Sequence, residues 1–171
     1  MRVAAVFRLM TVSCTITALG CSSDGGTEPD DGSCITIEGS AQMTGDRDKL
    51  MGTGVFRFGD DDRPAEVGVY LFEMREAPGG IFVDTQYQFI WENGDSFLTV
   101  DKVFFQPGLH ADEYTFQVQM KITLGSGLFA DQIGKKPLTL SATIEFGPPP
   151  NPGDLRTVKE SFDIGGRVCP G

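Results

Sequence analysis

Basic residues and histidine are scarce in this chain of 171 residues. Lysine and arginine together number 14 against 24 acidic residues, which gives a formal net charge of -10. Such a surface repels phosphate backbones, so we expect no nucleic-acid partner. His110 is the only histidine, so any catalytic triad or multi-histidine metal site in one chain would need it. We expect His110 to be an exposed loop residue, and we expect no metal and no other cofactor.

Long hydrophobic runs are also missing, apart from residues 9–19, which are too few to span a bilayer. Arg2 and Arg8 precede this run, as basic residues do in a secretory signal peptide. The sequence Ala18-Leu19-Gly20-Cys21 resembles a lipobox, the cleavage site of bacterial lipoproteins. The resemblance implies cleavage after residue 20 and lipid on Cys21. The alternative is an ordinary signal peptide with an incidental cysteine.

These features divide the chain into three parts. Residues 1–20 are predicted to be a lipoprotein signal peptide, 21–33 a flexible acidic tether, and 34–171 a single β-barrel domain. The resemblance places the protein in the bacterial cell envelope, bound to a membrane through Cys21. Ser22 resembles the signal that sorts lipoproteins to the outer membrane in some bacteria, so the outer membrane is the expected location.

Under this interpretation only two of the four cysteines can form a disulfide. Cys14 lies in the signal peptide and Cys21 carries lipid, so Cys34 and Cys169 remain, at the two ends of the folded domain. An oxidising compartment favours a disulfide between them. Two free thiols or a metal pair are the alternatives, and the lack of a nearby histidine disfavours the metal.

The folded part shows a period of two and no stretch with a helical period. Asn93-Gly94 predicts a type I′ hairpin turn. Eight strands in up-and-down order predict an all-β, eight-stranded antiparallel barrel, with a β-sandwich as the alternative. The predicted strands lie at 34–38, 50–58, 66–74, 81–91, after the Asn93-Gly94 turn, 113–124, 138–146 and 155–164.

The predicted hairpin turn fixes a register. Pairing Glu92 with Asp95 would set Tyr87 opposite Val100 and would place Asp84 and Asp101 on one polar face. Gln86, Gln88 and Thr99 would share this face. Paired carboxylates can catalyse glycoside hydrolysis, but a solvated outer wall is the expected role. Asp60-Asp61-Asp62 is predicted to be a solvated hairpin tip.

A glycine-rich segment connects two amphipathic strands. Residues 125–134, GSGLFADQIG, resemble the G-x-G-x-F-A-x-x-x-G segment of the allene oxide cyclase and dirigent-like barrel superfamily. The resemblance implies an eight-stranded barrel, with an apolar central cavity in some members. No active-site residue of the cyclases matches a position here, so no catalytic residue is assigned. We expect the loop to tuck Phe129 under the barrel end.

Three functional hypotheses follow. The first is a lipid-anchored, non-catalytic barrel that binds an apolar small molecule or acts as an envelope interaction module. The second is a cofactor-independent isomerase or cyclase-like enzyme in the barrel cavity, and the third is a purely structural surface lipoprotein. The 13 phenylalanines favour a filled or apolar interior. No catalytic residue is evident, so an enzyme is the less favoured hypothesis.

Overall fold

A computed structural model describes residues 34–46, 48–148, 151 and 156–169. The signal peptide, Cys21 and the tether predicted from the sequence lie outside these residues. The strands are β1 Ile35–Gly45, β2 Lys49–Phe58, β3 Asp61–Ala77, β4 Gly80–Trp91, β5 Ser96–Pro107, β6 Glu113–Met120, β7 Ile122–Ser126, β8 Leu138–Phe146 and β9 Val158–Val168. One 3₁₀ helix, Gly127–Gln132, follows β7.

The strands close into the antiparallel eight-stranded barrel that the sequence predicts. Around the barrel the order is β1, β2, β3, β4, β5, β6, β8 and β9, and β9 pairs with β1. β7 is an additional strand that pairs only with β5 among the described strands. Closure leaves each barrel strand a neighbour on both sides, and it encloses the residues of alternating strand positions as a core.

Several predicted strands differ in extent from those observed. β1 continues beyond the predicted end at residue 38 to Gly45, because Ala41 and Met43 still point into the barrel. The small and polar residues around them make the alternation hard to see in the sequence. β3 begins at Asp61, so the predicted acidic tip is wrong in part. Only Gly59 and Asp60 form the turn, and Asp61 already pairs with Phe58. Gly59 has φ +62°, which suits a tight turn.

The predicted strand 113–124 is interrupted at Lys121. Leu98 pairs with Leu124 and Thr99 pairs with Ile122, so Thr123 is an extra residue without a partner on β5. After this bulge the side chains of β7 change sides, so that Ile122 is buried while Leu124 is 62% exposed. The alternation of the sequence therefore predicts one strand correctly up to Met120 and places Leu124 on the wrong side.

The barrel interior is filled by side chains. Phe56, Phe89 and Phe162 are buried and contact one another, with ring centroids 5.6–6.4 Å apart. Toward one end Trp91, Phe97 and Phe129 continue this cluster, and Phe129 closes the barrel from the 3₁₀ helix. The expectation that Phe129 tucks under the barrel end is confirmed.

Cys34 and Cys169 form the predicted disulfide. It joins the residue before β1 to the residue after β9, which are neighbouring strands paired from Ile35↔Val168 onward. Gln132, a buried residue of the 3₁₀ helix, donates a 2.7 Å hydrogen bond from Nε2 to the carbonyl oxygen of Cys169. The disulfide and the 3₁₀ helix thus lie at the same end of the barrel.

Candidate functional site

The β4–β5 hairpin decides which polar side chains enter the barrel. Trp91 N donates to Asp95 O at 3.0 Å, and Gly94 N donates to Trp91 O at 3.0 Å. The loop therefore has three residues, 92–94, with Gly94 at φ +88°, and not the two-residue type I′ turn predicted from the sequence. Tyr87 pairs with Thr99 and Thr85 pairs with Asp101.

This one-residue difference moves every β5 side chain to the opposite face. Thr99 and Asp101 point into the barrel, whereas Asp84 lies on the outer wall, where it bonds Lys102 Nζ at 2.9 Å. Gln86 and Gln88 are outside as well. The predicted polar face that unites Asp84 with Asp101 is therefore wrong, and the paired-carboxylate arrangement does not exist.

A hydrogen bond crosses the barrel interior from wall to wall. Tyr87 Oη on β4 donates to Glu160 Oε1 on β9 at 2.6 Å. Three strands lie between β4 and β9 in either direction around the eight-stranded barrel, so the two residues lie on diametrically opposite walls. Glu160 is 2% exposed and Tyr87 is fully buried. The Oε2 atom of Glu160 has no hydrogen-bond partner.

Asp101 is the second carboxylate of this interior layer. Its Oδ1 accepts a 3.1 Å hydrogen bond from the backbone N–H of Lys121, while Oδ2 is buried without a partner. Thr99 Oγ1 is also unpartnered, and Thr85 donates its hydroxyl to Asp101 O at 3.4 Å. We call Thr85, Tyr87, Thr99, Asp101 and Glu160 the interior polar layer.

Burial changes the acidity of both groups that form the cross-barrel bond. Loss of hydration raises the pKa of Glu160 to about 7, although the hydrogen bond from Tyr87 acts to lower it. The pKa of Tyr87 is well above its ordinary value because of burial first, then the charge of Glu160 and their hydrogen bond, then the charge of Asp101. Asp101 therefore acts on the same hydroxyl that bonds Glu160.

The interior polar layer was only partly visible in the sequence. The period of two in residues 81–91 places Tyr87 on the apolar face of its strand, and Glu160 is not among the site residues predicted from the sequence. A signal for Glu160 does exist, since it shares the phase of Val158, Phe162 and Ile164 in β9. An acidic residue in phase with three apolar ones indicates a buried carboxyl group.

Outside the barrel, a polar groove of about 630 Å³ follows strands β1, β9, β8 and β6. The side chains that face outward here are hydroxyls and amides with one carboxylate. They are Ser40, Gln42, Thr115, Gln117, Ser141, Thr143, Ser161 and Asp163, together with Gln106 of the adjacent β5. Gln117 Nε2 donates to Ser141 Oγ at 3.1 Å, and no lysine or arginine lines the groove.

His110 is exposed in the loop between β5 and β6, as predicted. Arg156 Nη2 bonds Asp112 Oδ1 at 3.0 Å, so this carboxylate has a cationic partner. No cluster of three or more histidine, cysteine, aspartate or glutamate residues in the described ranges has metal-binding geometry. No helix within the described ranges is long and apolar enough to span a membrane.

Comparison with known proteins finds no matching family model and no matching curated protein.

Proposed function

We propose that this protein is a lipid-anchored, non-catalytic interaction module of the bacterial cell envelope. The observation that carries the proposal is the filled barrel. Phe56, Phe89 and Phe162 occupy its centre, and Trp91 and Phe129 close one end. An apolar small molecule would have to displace these side chains, so the outer surface is the better candidate for recognition.

The outer wall has two chemically different halves. Exposed large apolar side chains of the described strands are confined to β2, β3, β4, β5 and β7. We call them the apolar wall, and they are Met51, Val55, Phe72, Phe82, Ile90, Val100 and Leu124. The other half, on β1, β6, β8 and β9, carries the polar groove. We propose that these side chains form a site of protein contact.

The apolar wall is organised by cross-strand pairing. Phe82 and Phe104 pair across β4 and β5 with ring centroids 4.8 Å apart. At the other end of β5, Leu98 pairs with Leu124 of β7, and Val100 is 50% exposed. These side chains stand on rigid, paired strands, so a partner would bind them at little cost in conformational entropy.

Charge suggests the chemistry of the partner. The chain carries -10 overall, and residues 1–20 contain two arginines and no acids, so the mature protein would carry -12. Glu66 and Glu73 are exposed on β3 beside the apolar wall. We propose a protein partner that presents apolar side chains within a basic rim.

Metabolic labelling with palmitate tests the anchor. We expect label in the wild-type protein and none in Cys21→Ser, because lipoprotein lipid is attached to this sulfur. A wild-type protein without label would overturn the anchor but would leave the apolar wall untested, so the surface needs its own experiment.

Site-specific photocrosslinking in intact cells tests the surface. A photoreactive amino acid at Val100 or Leu124 should give one protein adduct, and the same group at Ser141 in the polar groove is the matched control. Val100→Asp, combined with the photoreactive group at Leu124, should abolish the adduct, and added salt should weaken it. Adducts of equal yield from all three positions, or none, would contradict the proposal.

A second candidate is a cofactor-independent enzyme in the barrel, which the interior polar layer favours. Glu160 with a pKa of about 7 and Tyr87 beside it are acid–base groups of the kind that isomerisation requires. Native mass spectrometry of the purified protein distinguishes the candidates. A bound small molecule that is lost in Glu160→Gln would favour the enzyme, and a mass without adduct would favour the interaction module.

A further inference from the structure

The wall of the barrel has one weak place, between β5 and β6. These strands form ladder pairs only at Gln106↔Thr115 and Pro107↔Tyr114. Thr99↔Ile122 belongs to the same register but lies seven residues away along β5. In between, residues 100–105 and 116–121 face each other without ladder pairs. We call this stretch the β5–β6 seam.

The ladder between β1 and β9 differs strongly from the β5–β6 seam. β1 and β9 are paired without interruption from Ile35↔Val168 to Gly45↔Val158. Each missing pair removes backbone hydrogen bonds that would have to break if the strands separated. The β5–β6 seam is therefore the part of the barrel wall that opens at the lowest cost.

A carboxylate bridges the seam where the ladder is missing. Asp101 of β5 accepts the backbone N–H of Lys121 through Oδ1 at 3.1 Å. Nearer the other end, Phe105 and Phe116 stack across the seam with ring centroids 4.6 Å apart. The seam is thus held by side chains, and one of them, Asp101, belongs to the interior polar layer.

The same layer contains Glu160 on the far wall. Tyr87 links the two, because it bonds Glu160 directly and pairs with Thr99, two residues from Asp101 on β5. The β1 and β8 residues paired with Glu160 are Met43 and Ile144, which are apolar.

No cation faces this layer among the described residues. Their lysines and arginines are all exposed except Arg63, which is half-buried and bonds Asp61 and Asp95. The titratable groups that face Glu160 are therefore Tyr87 from β4 and, through it, Asp101 from β5.

We propose that the β5–β6 seam is a proton-controlled lateral gate, closed when Glu160 is protonated and opened when it ionises. Ionisation places a carboxylate charge in a low-dielectric layer without a cation, where the loss of hydration is costly. The layer can rehydrate only if the wall separates, and the seam separates most easily. Burial raises the pKa of Glu160 to about 7, so the gate responds in the physiological pH range.

Hydrogen–deuterium exchange at pH 6 and pH 8, corrected for the intrinsic dependence of amide exchange on pH, tests the gate in the full-length protein. We expect protection of residues 100–105 and 116–121 to fall at least tenfold between these values, while β1 and β9 change less. Glu160→Gln should remove the difference, and Glu66→Gln, an exposed residue of β3, should retain it.

Two results would overturn the gate. One is a loss of protection that is equal in the seam and in the β1–β9 ladder, which would indicate global destabilisation. The other is the same selective loss in Glu160→Gln, which would assign the effect to another group. If Glu160→Gln does not fold, the wild-type comparison still tests whether the seam opens selectively, and equal protection of the seam at both pH values would overturn the gate.

Discussion

Tyr87 and Glu160 join two opposite walls of the barrel through a single 2.6 Å hydrogen bond. The bond passes through a core of aromatic rings, and Phe89 and Phe162, the next inward residues of the same strands, contact each other at 5.8 Å. One level of the interior is therefore polar and the adjacent level is apolar. We expect this polar level to make the stability of the barrel depend on pH.

We expect the wild-type protein to lose stability as pH rises from about 5 to about 8. The pKa of Glu160 is raised from 4.5 to about 7 on folding, so the folded state retains a proton that the unfolded state releases. This contribution to the unfolding free energy is fully present below pH 4.5, the pKa in the unfolded state, and is lost as the pH rises through about 7, the pKa in the folded state. The full loss is about 3 kcal/mol.

Urea unfolding at pH 5, 6, 7 and 8, followed by the fluorescence of Trp91, measures this loss. Trp91 is the only tryptophan and is buried, so it reports on the core. Glu160→Gln should flatten the difference between pH 5 and pH 8, whereas Glu66→Gln should not. Equal pH dependence in wild type and Glu160→Gln would show that Glu160 is not responsible.

Tyr87→Phe should raise the pKa of Glu160 further. The hydroxyl of Tyr87 stabilises the ionised carboxylate, and without it Oε1 joins Oε2 as an unpartnered buried atom. We expect a loss of about 1–3 kcal/mol in unfolding free energy. Carboxyl ¹³C NMR of Glu160 measures the pKa, and a midpoint that moves downward would contradict the assigned role of Tyr87.

Removal of the disulfide should cost about 5 kcal/mol in the chain-entropy estimate, because it closes a very long loop. Cys34 and Cys169 are 135 residues apart in sequence. The measurement is urea unfolding with and without a reductant. Cys34→Ser/Cys169→Ser should unfold at the same urea concentration in both conditions, and a wild-type protein insensitive to reductant would argue against the bond.

Gly54→Ala should destabilise the barrel by about 1–3 kcal/mol through overpacking. A Cβ at Gly54 would lie 2.6 Å from Ser40 O, 2.7 Å from Ala41 Cβ and 2.8 Å from the Phe56 ring. Gly165→Ala is the matched control, because a Cβ there meets nothing within 4 Å. Calorimetric melting compares the two, and similar melting temperatures would show that β2 can shift to accommodate the methyl group.

The fold was predicted largely from alternation in the sequence, whereas the candidate site was not. Leu138, Leu140 and Ile144 of β8 face inward as their period of two indicates, and the same holds for Val83, Tyr87 and Phe89 of β4. For β5 the alternation is ambiguous, since Leu98, Val100 and Phe104 are as apolar as Phe97, Val103 and Phe105. The length of the loop decided between them.

The amino-acid sequence by itself determined the all-β class, the strand order around the barrel and the cysteine pair that remains for a disulfide. The class and the strand order follow from the period of two along the chain, and the cysteine pair follows from the small number of cysteines. The tertiary structure alone decided the register of β4 against β5, where one loop residue sends Asp101 inward. It also decided that Tyr87 meets Glu160, because only closure of the barrel brings residues 73 positions apart into one buried layer.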